Sequence, residues 1–387
     1  MRSFARAPLW LWAKVVIVLV ALDWIAFGAG LFFWAVPTMR RFPVTLGLAY
    51  RCVQVLHDAP PPPLAYAVGS SIVFLGLDEN RVRAALEART VPTAFRSLTV
   101  FGATGVDQAL LAHAAIPTRP WLVVLTASVR DFPRTTSLDT PVSRLFVDSS
   151  VTLPAFQAHT VEGEITNVLR RYWGLYRYRL LVRTAIQEAL EGPLGSIAPG
   201  LAPPAPSLGP LPVPRASDAP VPEEAHQWFF RGRITAESWA AWTHWRETRR
   251  FADYETFLHE NRSGAIEQYG RQTFATHGPT DNVQLDALAW SEAELAAHGI
   301  RVVVLAFPEN PVLQDPDARA LYDTALSEAV ALRLQTDARE RHARFVDLRR
   351  FLEPEDFYDL IHPNLVGSQK LSDRLVDILA EEWAANR

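Results

Sequence analysis

The sequence predicts an α/β protein whose core is a doubly wound parallel sheet of five strands. Three observations predict it. Apolar runs of strand length recur along the chain, helix-like patterns separate them, and the first run stops abruptly in Gly69-Ser70-Ser71. Near-continuous Val, Leu and Ile content is what a sheet covered on both faces requires, and strand–helix alternation goes with parallel pairing. With 387 residues, 49 % of them hydrophobic, the chain can bury one large core and still carry accessory segments.

At the amino end, Leu9 to Val36 is almost wholly apolar, interrupted only by Lys14 and Asp23. Val15 to Val36 alone exceeds the ~20 residues that cross a bilayer as a helix. Phe32, Phe33 and Trp34 stand where a cleaved signal peptide needs small residues, so an uncleaved N-terminal transmembrane helix is expected. Trp10, Trp12 and Trp34 fit an interfacial belt, while Arg2, Arg6 and Lys14 before the helix and Arg40, Arg41 and Arg51 after it leave its orientation open. Asp23 admits two readings: an acid facing a membrane partner or watery cavity, or one tolerated by protonation or snorkelling. Pro60 to Pro63 form a stiff spacer. Residues 1–63 are therefore assigned to anchor and spacer, and 64–387 to the α/β domain.

The first strand is Leu64 to Val68, followed by a turn and the helix-like Asp78 to Glu87. Further strands are expected at Ser97 to Phe101, Trp121 to Ala127, Ile300 to Phe307 and Arg344 to Leu348. The helix Asp281 to His298 carries Leu285, Leu288 and Leu295 and stops at Gly299; the last, about Ser368 to Trp383, aligns Leu371, Leu375, Ile378 and Leu379. Between the third and fourth strands lies an insertion, 161–278. Its first part, Val161 to Glu191, mixes five arginines with Tyr172, Trp173, Tyr176 and Tyr178, as either a membrane-surface helix or a solvated helix with one buried stripe. Residues 192–224 are rich in Pro, Ala, Ser and Gly and read as an extended loop. In Ala236 to Gly270, Trp239, Trp242 and Trp245, then Phe251, Tyr254 and Phe257, recur at helical spacing. That stripe suits core packing, or else a sugar-stacking or partner surface.

A net charge of −4 gives no nucleic-acid footprint. The single Cys52 excludes an internal disulfide and any multi-cysteine metal site, and the ten histidines are scattered, so neither metal nor cofactor is implied.

Two stretches carry chemistry. In an open parallel sheet ligands bind at the carboxyl edge of the strands, where the turn after the first strand presents Ser71 as candidate nucleophile. Near the carboxyl end, Tyr358-Asp359-Leu360-Ile361-His362-Pro363-Asn364 follows the fifth strand. A serine hydroxyl needs an imidazole to take its proton and a carboxylate to orient that imidazole. His362 and Asp359 supply both.

These two blocks resemble the SGNH or GDSL-type serine esterases and acyltransferases, whose Gly-Asp-Ser or Gly-Ser-Ser follows strand one and whose Asp-x-x-His-Pro closes the domain. The resemblance spans about residues 64 to 380 and implies a flavodoxin-like SGNH hydrolase fold. The anchor, the Gly-Ser-Ser variant, the Pro308-Glu309-Asn310-Pro311 loop and the insertion look most like the DltD-like branch of envelope-polysaccharide acyl-transfer proteins. That branch implies a domain outside the cytoplasmic membrane, single-pass anchored, working on a cell-envelope glycan or acyl donor with a membrane-bound O-acyltransferase. The family's oxyanion-hole glycine falls on Gly105, with Gly102 as fallback. Its third block, Gly-x-Asn-Asp, becomes Ser128-Val129-Arg130-Asp131, which puts Arg130 in the asparagine's place, either as a charged oxyanion donor or paired to Asp131. The expected function is a membrane-anchored serine esterase or O-acyltransferase using Ser71, His362 and Asp359. The alternative is a non-catalytic scaffold of the same shape partnering an acyltransferase or polysaccharide exporter.

Overall fold

The computed structural model describes residues 9–28, 44–132, 140–147, 151–153, 168–169, 173–177, 179, 182, 241, 244, 280–311, 324–358 and 361–386. In chain order these form α1 (Leu9–Asp23), α2 (Val44–His57), β1 (Leu64–Gly69), α3 (Ser71–Gly76), α4 (Glu79–Ala88), β2 (Ala94–Thr99), α5 (Gly105–Ala115), β3 (Leu122–Ala127), α6 (Pro141–Phe146), α7 (Gly174–Arg177), α8 (Val283–Ala297), β4 (Arg301–Ala306), α9 (Thr324–Glu340), β5 (Arg344–Asp347) and α10 (Leu365–Ala385). The Pro-rich loop 192–224 and the aromatic stripe at Trp239, Trp242 and Trp245 lie outside the described residues.

The five strands pair in parallel in the order β2-β1-β3-β4-β5. This is the flavodoxin-like order, and its switch point lies between β1 and β3. Strand alternation divides the core into two layers. Leu64, Tyr66 and Val68 of β1 face a layer completed by Leu110 of α5 and Leu285 of α8. Ala65 and Ala67 face the opposite layer, with Val82 and Leu86 of α4 and Leu371 and Leu375 of α10. The expected doubly wound sheet is present.

Helix α2, which the sequence assigned to the anchor-side segment, packs on β2 and α6 and buries Leu48, Ala49, Tyr50 and Cys52 in the first layer. Burial pushes the Cys52 thiol up to about 12, and its Sγ faces the Thr99 carbonyl at 3.8 Å. It is a structural thiol.

Strand β2 begins at Ala94, upstream of the expected Ser97, and stops before Phe101. It is an edge strand, so Arg96 is tolerated within it as a half-buried partner of Glu79 at 3.3 Å. That polar residue concealed the start of the strand. The Glu79 carboxylate also accepts from the Ser97 amide at 3.1 Å and from its hydroxyl at 2.9 Å, and lies 3.6 Å from the buried Arg51 of α2. One acid thus closes the open backbone of an edge strand and neutralises a buried cation.

The apolar N-terminal run is described in part. It is α-helical only over Leu9–Asp23 and passes into a π-turn at Trp24–Gly28; residues 29–36 lie outside the described residues. Among the described residues no helix is long and apolar enough to cross a membrane. The transmembrane helix expected over Val15–Val36 runs into residues outside the described ones; within the described part, the wider π-turn follows the α-helix directly after Asp23.

Removing Glu79 leaves Arg51 buried without that counter-charge. Glu79→Ala is expected to destabilise the fold by about 3 kcal/mol in urea unfolding, and Glu79→Gln by less, because Gln retains an acceptor for the Ser97 amide.

Candidate active site

Strand β1 ends at Gly69 because the turn has no room for a side chain. A Cβ there would lie 2.2 Å from Thr126 Oγ1 on β3 and 2.4 Å from Val73 Cγ2 on α3. The Thr126 hydroxyl donates to the Val68 carbonyl at 2.8 Å, which fastens the ends of β1 and β3 together. Ser70 N-caps α3, and Ser71 is its first residue, set at the carboxyl edge of the switch point. A first-turn amide has no acceptor within its own helix, so the Ser71 N–H is suited to receive an oxyanion.

His362 reaches this point from the other end of the chain. Its Nε2 lies 3.1 Å from Ser71 Oγ, across 291 residues of sequence. With the ring proton on Nδ1, Ser71 donates and Nε2 accepts, which is the arrangement of a nucleophile and its base. The His362 loop is fixed on both sides. Phe357 bridges Pro363, the Tyr358 amide donates to the His362 carbonyl at 3.1 Å, and the two rings stack with centroids 5.7 Å apart. Asp359 lies outside the described residues.

Three residues that hold this loop were not singled out from the sequence. Asn364 N-caps α10 by accepting from the Gly367 amide at 3.0 Å, and its amide donates back to the Glu355 and Phe357 carbonyls at 2.6 and 3.3 Å. Lys370 grips both oxygens of the buried Asp356 carboxylate at 2.8 and 2.7 Å. Gly367 permits the approach, since a Cβ there would lie 2.3 Å from the Asp356 carbonyl oxygen. The N-cap signal of Asn364 was legible beside His362 in the sequence; the Asp356–Lys370 pair was not.

The loop after β2 joins the site through the Val100 amide, which donates to the Gly69 carbonyl at 3.2 Å, and through Phe101, edge-on to Phe74 of α3 at 5.2 Å. Of the two candidate glycines, Gly102 sits in the turn with φ of +68°, a left-handed conformation that favours glycine. Gly105 opens α5, behind the Thr104–Asp107 capping box. Its lack of a side chain is accounted for by helix packing: a Cβ would lie 2.3 Å from the Gln284 carbonyl oxygen of α8.

After β3 the chain makes a single 3-10 turn, Val129–Asp131, capped reciprocally by Ser128 and Asp131. Arg130 is half-buried there, and its charge acts on the neighbouring Asp131. Asp131 itself is buried beneath the nucleophile turn. It accepts from the Ser128 amide at 3.0 Å, and the buried Ser70 hydroxyl and the Gln108 amide face it and favour its charged form. Burial raises this carboxyl from 3.8 to about 6, against the lowering effect of its hydrogen bonds and of Arg130. It therefore couples the residue before Ser71 to the end of β3.

Beside it, a cavity of about 10 Å³ between the ends of β3 and β4 is lined by Ser128, Val129, Glu309, Ser327 and Arg349. That is room for about one water. A larger space, about 360 Å³, opens at the opposite, amino edge of β4 and β5, away from Ser71. Its arginines are already engaged, Arg301 and Arg344 by Glu382 and Arg341 by Asp337. No group of His, Cys, Asp and Glu able to hold a metal occurs among the described residues.

The raised Asp131 carboxyl fixes the sign of a stability effect. The folded protein holds this proton more tightly than the unfolded chain, so the stabilisation is complete below 3.8 and is lost as pH rises through about 6. The loss is expected to be on the order of 3 kcal/mol and to be missing from Asp131→Asn, as urea midpoints of the two proteins across that range will measure.

No protein-family model matches the chain. No curated protein matches it either. Among solved structures, the chain is similar to a protein from Bacteroides fragilis provisionally described as an acylhydrolase, at 11 % identity and a TM-score of 0.36, over 85 % of this chain and 94 % of that one.

Proposed function

We propose that this protein is an SGNH-like serine esterase or O-acyltransferase in which Ser71 is the nucleophile and His362 the base. The observation that carries the reading is the 3.1 Å contact between Ser71 Oγ and His362 Nε2 at the carboxyl edge of the sheet. Ser71 Oγ attacks an ester or thioester carbonyl carbon as its proton passes to Nε2. The tetrahedral intermediate then collapses, the leaving oxygen or sulfur takes that proton, and an acyl-Ser71 ester remains. Water or a glycan hydroxyl, deprotonated by the same Nε2, releases the acyl group. Asp359 is assigned to orient the imidazole. The Ser71 amide, Gly105 or Gly102, and Arg130 are assigned to the oxyanion, each such donor contributing ~3 kcal/mol in a well-studied protease.

The apolar N-terminal run, the Gly69-Ser70-Ser71 variant, the Pro308-Glu309-Asn310-Pro311 loop and the insertion support placement in the DltD-like branch, and with it a cell-envelope glycan as acceptor, a membrane-bound O-acyltransferase as partner and residence on the outer side of the cytoplasmic membrane. The apolar N-terminal segment supports membrane attachment. One observation favours the scaffold reading instead: Arg130, whose charge acts on the neighbouring buried Asp131, stands in the place of the family's asparagine.

Fluorophosphonate labelling of the full chain separates the two readings. The active-serine reading expects labelling of wild type that is lost entirely in Ser71→Ala and reduced at least ~100-fold in His362→Ala. A folded wild-type protein that takes no label overturns it in favour of the scaffold.

A further inference from the structure

Asp23 interrupts an otherwise apolar helix, and its partner is found within the chain. The carboxylate at the end of α1 accepts from two consecutive backbone amides of the insertion, Gly174 to Oδ2 at 2.8 Å and Leu175 to Oδ1 at 2.5 Å. Each side needs the other. The amides open a short helical turn, where the first N–H groups have no acceptor of their own, and the acid has no basic residue on its own helix nearer than Lys14.

Exposed apolar side chains flank this clasp among the described residues. Ile17, Val18, Leu19 and Val20 are each about half exposed or more, at 66, 55, 49 and 62 %. Four successive residues point around the whole helix axis, so a protein groove, which covers one stripe, would leave most of them in water. Lipid covers all of them. Across the clasp, Val168, Trp173 and Leu175 of the insertion are exposed as well. Trp173 stacks on Tyr176 at 6.4 Å, and the Arg179 guanidinium lies over the Tyr176 ring at 4.3 Å while donating to the Tyr176 carbonyl. Trp, Tyr and a snorkelling Arg are the residues of the headgroup layer. Arg170, Arg171 and Arg183 add positive charge to the same stretch of sequence.

From these contacts we infer that the turn at Trp173 and Gly174–Arg177 is a second membrane-seated element, fastened to α1 through Asp23 and received by a bilayer containing anionic phospholipid. In lipid, an unsatisfied carboxylate and unsatisfied amides are both costly, and the clasp removes both costs together. The acid is thus an internal fastener instead of a contact for a second protein, and the turn at Gly174–Arg177 lies against the bilayer. The inference rests on the membrane attachment proposed above and is independent of the serine chemistry.

A fluorophore placed by Leu175→Cys in the full chain tests it, because the buried Cys52 thiol does not compete for label. The protein is reconstituted in vesicles of equal parts phosphatidylcholine and phosphatidylglycerol with brominated acyl chains. Quenching at position 175 is expected, falling to the level of a label at the exposed position 87 when Asp23→Ala or Gly174→Pro is added, while a label at Ile17→Cys stays quenched in every background. Quenching at 17 but not at 175, or quenching at 175 that survives both substitutions, overturns the clasp. Absence of quenching at both 17 and 175 overturns membrane attachment itself.

Discussion

The site depends on a side chain that is missing. Gly69 lets β1 run flush against β3 and then turn within one residue into α3, because no Cβ separates Thr126 from Val73. Any other residue would push the strand from its neighbour or delay the helix, and Ser71 would no longer stand at the switch point. The parallel pairing of β1 on both sides fixes where that turn lies, and Thr126 fixes how closely the two strand ends approach.

Strand positions were legible because buried parallel strands must be apolar on both faces, and β1, β3, β4 and β5 fall within or close to the runs read from sequence. β2 was displaced because an edge strand can carry Arg96, whose charge is met by Glu79 from another element. Helices α2, α5 and α9 were not singled out. In α5 buried residues surround the axis and leave no clean polar face. The candidate nucleophile Ser71 and candidate base His362 were legible as short blocks, since each is a local pattern. What holds them was not. Ser70 with Asp131, Asp356 with Lys370, and Gly367 beneath a carbonyl are pairings between distant residues that only the fold brings together.

The two halves of the site are built in contrasting ways. His362 rides on a loop tied by hydrogen bonds of the buried Asn364 and by the ion pair of the buried Asp356 carboxylate with the half-exposed Lys370. Ser71 rides on a turn whose support is a buried acid. Burial makes the neutral form of Asp131 compatible with the fold in mildly acidic conditions, and hydrogen bonds from Ser128 and Ser70 compensate the anion above them. The nucleophile turn is therefore the half whose support changes with protonation.

The thiol of Cys52 gives the fold an internal clock. It is sealed beneath α2 against the end of β2 and stays protonated there, so a thiol reagent meets a reactive sulfur only while α2 is lifted from the sheet. The rate of its modification in the native protein then counts openings of that one helix. It reports how often the segment joining the N-terminal run to the sheet comes loose, on its own or with the domain as a whole.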